Sequence, residues 1–432
     1  MNAPASASTN HPSASSARAQ AVAARSCARA VASAPAAQRS GAIAEAARLI
    51  EDRTDEIVAA NARDLERARA AGMSAPLQDR LMLDASRLAG IARALREVAA
   101  QPDPLGQVLG GRILDAGVRV EQVRVPLGVV AVIYEARPNV TADAFALCLR
   151  SGNTCVLKGG SAAQESCLAL SAACRDALAL SGLPADALQY VVDDETHAAT
   201  AELLGATGLI DVLIPRGGAG LIRTCVDNAK VPTIETGTGN CHVYLHEAAD
   251  VNKAVDIVVN AKCQRTGVCN AAESLLVDAC AADRLLPPVL LALAEHGVEL
   301  VGDELARRVA EGCGVAMAPA TEEDWGTEYL ALKMSVACVD GVGAAIAHVN
   351  RYGTGHSEAI VSESYAACEA FLAGVDAAAV YANASTRFTD GGVFGLGGEI
   401  GISTQKLHAR GPMGAGSLTT TKWVCRGDGN VR

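Results

Sequence analysis

Residues 128–133 read GVVAVI, an unbroken apolar run, and similar runs recur as TCVLK at 154–158, LQYVV at 188–192, IDVLI at 210–214 and VPTIE at 231–235. Ala-rich text at helical spacing fills most of the gaps. Strands without polar alternation are buried on both faces, and repeated strand and helix alternation builds a parallel sheet covered by helices. Ligands of such sheets sit at the carboxyl ends of the strands. Those ends carry the least ordinary residues of the chain, in EARPN at 135–139, KGGS at 158–161, PRGGAG at 215–220 and ETGTGN at 235–240.

On the C-terminal side the alternation resumes, with helices expected at 250–262, 280–296, 342–350 and 364–374 and strands at 273–278, 335–340, 357–362 and 378–382. This is a second α/β domain. On the N-terminal side, 17–100 is mostly helical, with Ile43, Ala46, Ile50 and Ile57 at helix spacing. RILDAGVRVEQVRV at 112–125 alternates as a half-exposed antiparallel strand does, either pairing with another subunit or forming a surface hairpin. From Asn383 the text is dense in Gly, Ser, Thr and charge, as functional loops are, and LTTTKWVCRGDG near the end reads as one more strand. The fold class is therefore α/β: a parallel-sheet dinucleotide-binding domain over 17–111 and 126–237, a catalytic α/β domain over 238–410, and a small β oligomerisation ribbon from 112–125 and 411–432. Residues 1–16, rich in Ser, Ala and Asn, read as a disordered tail.

With 432 residues the chain exceeds one ordinary core, and half of it is hydrophobic with only 3% aromatic, as in an interior of Ala, Val, Leu and Ile. A net charge of -11 argues against a nucleic-acid surface. No apolar run approaches the ~18 residues of a membrane span. The 14 cysteines show neither CxxC nor zinc spacing, so no metal is expected, and reduced thiols place the chain in the cytoplasm. The stretch before Glu45 has no acid and carries Arg18, Arg25, Arg29 and Arg39, which raises a transit peptide; helical text continuing past Pro35 weighs against it.

Chemistry concentrates in AKCQRTGVCNA at 261–271. A covalent thiol needs a fixed backbone, donors for an oxyanion and little bulk, and Gly267, Asn270 and Ala271 around Cys269 are of those types. The strict dinucleotide fingerprint fails, because His242 stands where Gly237 and Gly239 require a third glycine. A pyrophosphate would instead use Gly217 and Gly218, which equally suit a tight strand-to-helix connection. Lys158, with no acid following it before Glu165, is either a surface lysine or a cation for a ribose 2′-phosphate. Asn139 alone would read as a helix cap.

The order of Asn139, Lys158, the turn at 216–220, the Glu235 stretch and the Cys269 loop resembles the aldehyde dehydrogenase superfamily. Within it, YEARPNVT, LIPRGGAGL, QRTGVCNA, NRYGTGHSEAI, NASTRFTDGG and STQKLHARGPMG are similar to the γ-glutamyl phosphate reductase (glutamate-5-semialdehyde dehydrogenase) family, over nearly everything from Ala17 to Arg432. The resemblance implies an aldehyde-dehydrogenase-like fold and NADPH-dependent reduction of γ-glutamyl phosphate to glutamate-5-semialdehyde and phosphate, the second step of proline synthesis from glutamate. It implies Cys269 as nucleophile, Asn139 as oxyanion amide, Lys158 and Ser161 at the adenosine ribose, and Glu328 at the nicotinamide ribose. Glu235 falls where the superfamily keeps a base that activates water, which an acyl-phosphate reductase cannot use productively. Arg137, Arg216, Arg387 and Arg410 are the candidate cations for phosphate and carboxylate, with Arg387 first; Asn383, in the same NASTRFTDGG string, joins Arg387 and Arg137 as a substrate contact. A homo-oligomer is expected, as is functional coupling to a glutamate kinase that could deliver the labile acyl phosphate. Thr266 and Cys263 depart from the pattern, and Cys263 is either a packed helix-end thiol or an oxidative partner of Cys269. The competing readings are an oxidative aldehyde dehydrogenase that hydrolyses its thioester, and a cysteine hydrolase or acyl transferase with His242 or His356 as base.

Overall fold

The computed structural model describes residues 16–135, 137–193 and 196–432. The tail expected over 1–16 lies outside them except for Ser16, whose side chain accepts the Ala19 N–H and so starts a helix at Ala17. The chain forms two compact units. The first gathers the chain up to Ile214 with Asp227–Thr233 and Thr419–Arg432, and the second holds Pro215–Val226 and Ile234–Leu418. The Gly217–Gly218 turn therefore groups with the second unit, not with the dinucleotide-binding domain expected to run to 237.

Leu188–Tyr190, Thr154–Lys158 and Val129–Tyr134 of the first unit and Val212–Arg216, which crosses the boundary after Ile214, lie side by side in that order. Counted along the chain this is 3-2-1-4, the arrangement of a doubly wound sheet whose order reverses beside its first strand. All six residues of Val129–Tyr134 are buried, as a continuously apolar strand requires. VPTIE at 231–235 is not a strand; only a single bridge joins Leu213 to Thr233. The alternation at 112–125 resolves into a hairpin, Val108–Ile113 against Arg119–Pro126, turning at Gly117 with φ 82. Thr419–Arg426 adds a third antiparallel strand to it.

The second unit is built on seven strands in the order Ala318–Pro319, Glu299–Gly302, Lys333–Val339, Ala272–Asp278, Cys241–Leu245, Ser357–Val361 and Ala379–Ala382. All six ladders between these strands are parallel. Cys241–Leu245 and Glu299–Gly302 escape sequence reading because they are short and carry a His, a Tyr or a Glu within the run. The helix Val251–Cys263 precedes the Cys269 loop. Asp250 caps it by accepting the Lys253 N–H at 2.9 Å, and Ala254, Val258 and Ala261, at i, i+4 and i+7, are fully buried against the sheet. A buried Val of this kind contributes ~1.5–3 kcal/mol. Among the described residues no helix is long and apolar enough to cross a membrane.

Candidate active site

The helix Val251–Cys263 and the strand Ala272–Asp278 hold the two ends of the loop that carries Cys269. Cys269 is half-buried, and the Ala271 N–H closes a turn on the Val268 carbonyl at 3.2 Å. Two neighbours fix its main chain. The thiol of Cys241 donates to the Cys269 carbonyl at 3.1 Å. Gly239 packs so closely that a Cβ there would lie 1.5 Å from the Cys269 oxygen and 2.7 Å from its Cα. The Gly239 N–H in turn donates to Glu328 Oε1 at 2.8 Å, which places the carboxylate expected at the nicotinamide ribose beside the backbone supporting Cys269.

Asn270 does not offer its amide to an oxyanion, as its type suggested. Nδ2 donates to the Thr389 carbonyl at 2.8 Å, and the Thr386 hydroxyl donates to the Asn270 carbonyl at 2.8 Å. These bonds clip the short turn Thr386–Phe388 onto the Cys269 loop, and with it Arg387, whose Nε donates to Gln264 at 2.9 Å. Burial and the neighbouring Arg265 push the Arg387 guanidinium below its ordinary pKa. Neither arginine has an acidic partner within salt-bridge distance among the described residues. By contrast, Arg216 pairs with Glu399 at 3.5 Å and Arg410 with Asp376 at 2.9 Å, so both are engaged in structural ion pairs. Asn383, at φ 56, turns the chain, and its amide binds both main-chain groups of Ser362 at 2.8 and 2.9 Å.

Asn139, Arg137, Lys158 and Ser161 lie in the first unit. Asn139 opens the helix Asn139–Arg150, and one of its amide hydrogens goes to Asp143 at 2.9 Å. Arg137 is half-buried just before it. Lys158 ends its strand as expected, but it is not an unopposed cation, since Asp193 from beyond the third strand stands 3.6 Å from Nζ. Burial would raise the Asp193 pKa, but the Thr200 hydroxyl, the Ala199 and Thr200 N–H groups and Lys158 hold it below its usual value. Ser161 is exposed at the start of a short 3-10 turn. A sheet ordered 3-2-1-4, with Lys158 at a carboxyl end, fits a dinucleotide.

Neither histidine of the hydrolase reading is placed as a base. His242 and His356 are fully buried, the first bonded to Glu358 at 3.0 Å and the second to Ser357 at 2.8 Å. Burial pushes the His356 pKa down to about 4. Glu235 is exposed, and its N–H is bonded to Gln405 at 2.9 Å. Cys263 ends its helix packed against the apolar core, and no disulfide joins it to Cys269.

The family model described as the aldehyde dehydrogenase family matches residues 3–322. The chain belongs to that family. It is 52% identical to a γ-glutamyl phosphate reductase of Thermobifida fusca over 90% of this chain and 92% of that protein. A γ-glutamyl phosphate reductase of Kineococcus radiotolerans is also 52% identical, over 90% of each chain. The crystal structure of γ-glutamyl phosphate reductase from Thermotoga maritima superposes with a TM-score of 0.93 at 43% identity, covering 97% of this chain and all of that one. An acetylating aldehyde dehydrogenase from Geobacillus thermoglucosidasius, 18% identical, shares the fold with a TM-score of 0.69 over 96% of this chain and 97% of that one. Membership of the family implies a nicotinamide dinucleotide cofactor.

Sequence reasoning passed over Cys241, Lys262, Arg265 and Glu273, and weighed Gly239 only as part of a dinucleotide fingerprint. Arg265 stood inside QRTGVCNA, and a Glu opening the apolar ESLLV was a signal of burial with a partner. Nothing in the sequence signalled the approach of Gly239 to Cys269, because it joins segments thirty residues apart.

Proposed function

We propose that this chain reduces γ-glutamyl phosphate to glutamate-5-semialdehyde with NADPH, in proline synthesis. The observation that carries the reading is the Arg265–Arg387 pair set against the Cys269 loop, with Asp390 nearby but no carboxylate within salt-bridge distance of either among the described residues, in a chain of net charge -11. Two adjacent cations cost free energy unless an anion joins them, and a guanidinium fork matches phosphate oxygens. The Cys269 thiolate attacks the γ-carbonyl carbon. The C–O bond to phosphate breaks with its electron pair on the leaving oxygen, where Arg387 and Arg265 stabilise the charge. A thioester remains on Cys269, and Asn139, with its second amide hydrogen, is the proposed oxyanion donor. When bound, NADPH supplies the hydride that discharges the thioester, and Cys269 leaves as thiolate. Lys158 and Ser161 would hold the adenosine ribose, Gly217 and Gly218 the pyrophosphate, and Glu328 the nicotinamide ribose.

Glu235, being exposed, is assigned no proton transfer. The three-stranded ribbon carries Val108, Leu109, Ile113 and Trp423 exposed, which supports a homo-oligomer formed through it. A labile acyl phosphate also favours direct delivery from a glutamate kinase. The test runs the reaction backwards, with glutamate-5-semialdehyde, phosphate and NADP. Formation of reduced nicotinamide should require phosphate; phosphate-independent turnover refutes the proposal in favour of an oxidative, hydrolytic enzyme.

A further inference from the structure

Lys262 and Glu273 form an ion pair with both side chains completely buried. One sits in the last turn of the helix Val251–Cys263 and the other near the start of the strand Ala272–Asp278, so the pair closes the base of the loop that carries Cys269. The same carboxylate reaches further. Glu273 Oε1 accepts the Leu330 N–H at 3.2 Å, and Leu330 is a non-glycine residue held at φ 54, where a β-carbon is strained. Two residues earlier, Glu328 accepts the Gly239 N–H, and Gly239 lies directly under the Cys269 carbonyl. The contacts form a closed circuit: Lys262 to Glu273, on to Leu330 and Glu328, then to Gly239 and Cys269.

A buried ion pair is a poor way to gain stability, because apolar residues of similar volume often do as well or better. Its distinguishing property is direction. A charged pair and its hydrogen bonds fix the relative register of the segments they join, which apolar packing leaves free to slide. We propose that Lys262 and Glu273 are positioning residues for the reaction, setting the Cys269 loop and the Glu328 segment in one register so that thiol and cofactor carboxylate are held as a unit.

The inference rests on Cys269 being the nucleophile, and its main readout needs no substrate. In the full-length protein, Lys262→Met/Glu273→Leu removes both charges without leaving one stranded. The rate at which iodoacetamide alkylates the Cys269-containing peptide is followed by mass spectrometry between about pH 6 and pH 9, together with the melting temperature, kcat and the KM for NADPH. We expect a melting temperature near that of the parent, a displaced alkylation profile, a kcat lower by roughly tenfold or more and a raised KM for NADPH. A folded double variant with alkylation profile and kinetics within about twofold of the parent overturns the proposal. If turnover is absent even in the parent while the profile still shifts, the proposed function fails and the positioning role stands. If the double variant does not fold, hydrogen exchange on the parent decides. The Gly239 and Leu330 amides should open together with one free energy, and independent opening overturns the circuit.

Discussion

Gly239→Ala isolates the contact that seats Cys269. Gly239 does not occupy the left-handed region, so alanine meets no backbone penalty there and the effect is steric. The new Cβ would lie 1.5 Å from the Cys269 oxygen, and real Cβ contacts essentially never fall below 3.0 Å. The two segments must therefore part by about 1.5 Å, and the obstacle is main chain, which cannot rotate away. Overpacking of this kind costs ~1–3 kcal/mol of stability, so the melting temperature should fall by a few degrees while the chain stays folded. Misplacing a reacting group by ~1 Å costs on the order of 100-fold in rate, about 2.7 kcal/mol in the barrier. The phosphate-dependent reduction of NADP by glutamate-5-semialdehyde measures this loss directly. Gly237→Ala is the internal comparison, because the three atoms nearest its new Cβ all belong to the Thr404 side chain, at 2.4, 2.7 and 3.1 Å, and none to the main chain of Cys269. A folded Gly239→Ala protein that keeps kcat/KM within about threefold refutes the reasoning, as does a Gly237→Ala protein that is equally impaired.

Cys269→Ala should abolish turnover while NADPH binding, followed by nicotinamide fluorescence, persists; Cys263→Ala should keep most activity, since that thiol only packs at a helix end. Arg387→Met and Arg265→Met each remove charge-assisted bonds worth ~1.5–3 kcal/mol, so the KM for phosphate should rise roughly 10–100-fold with the KM for NADP little changed. An unchanged phosphate KM in both would remove the pair as the anion site. The stability of the fold should fall with acid through His356. Its folded pKa is lowered to about 4 by burial, so the neutral form favours folding. That contribution is present above ~6.5 and is lost as pH falls towards about 4, amounting to ~3 kcal/mol. Denaturant titrations over this window should show a shallower loss in His356→Gln, and an identical loss would exonerate His356.

What could be read in the sequence follows the range of the interactions. The α/β class was legible because continuously apolar strands such as GVVAVI admit few alternatives, and the helix before Cys269 because Ala254, Val258 and Ala261 repeat at helical spacing. The Cys269 loop stood out by local composition and by resemblance. The misreadings concern partners distant in the chain. Asn270 has the composition of an oxyanion donor, but Thr389 takes its amide from 119 residues away. Lys158 had no acid nearby in sequence, yet Asp193 faces it across a strand and a helix. Arg410, Arg216 and Arg387 are indistinguishable as letters. Only folding shows that the first two form ion pairs with carboxylates and that the third, beside Arg265, forms none within salt-bridge distance among the described residues.

Environment also separates Cys269, the proposed nucleophile, from other thiols among the 14. Burial holds Cys155 and Cys241 well above the ordinary thiol pKa, with hydrogen bonding to Cys148 the larger cause for Cys155, and it raises Cys263 despite the opposing charge of Lys262. These groups stay protonated at neutral pH and are poor nucleophiles. For Cys241 the proton has a use, because only an S–H can donate to the Cys269 carbonyl 3.1 Å away; a thiolate there would repel that oxygen. The same burial that silences Cys241 therefore makes it a support for its neighbour. Cys269 is half-buried, and its charge would act on the Arg387 guanidinium, which no carboxylate approaches within salt-bridge distance among the described residues. Under the proposed mechanism, what distinguishes Cys269 from these thiols is its nearness to the Arg387 charge, and their number is irrelevant to it.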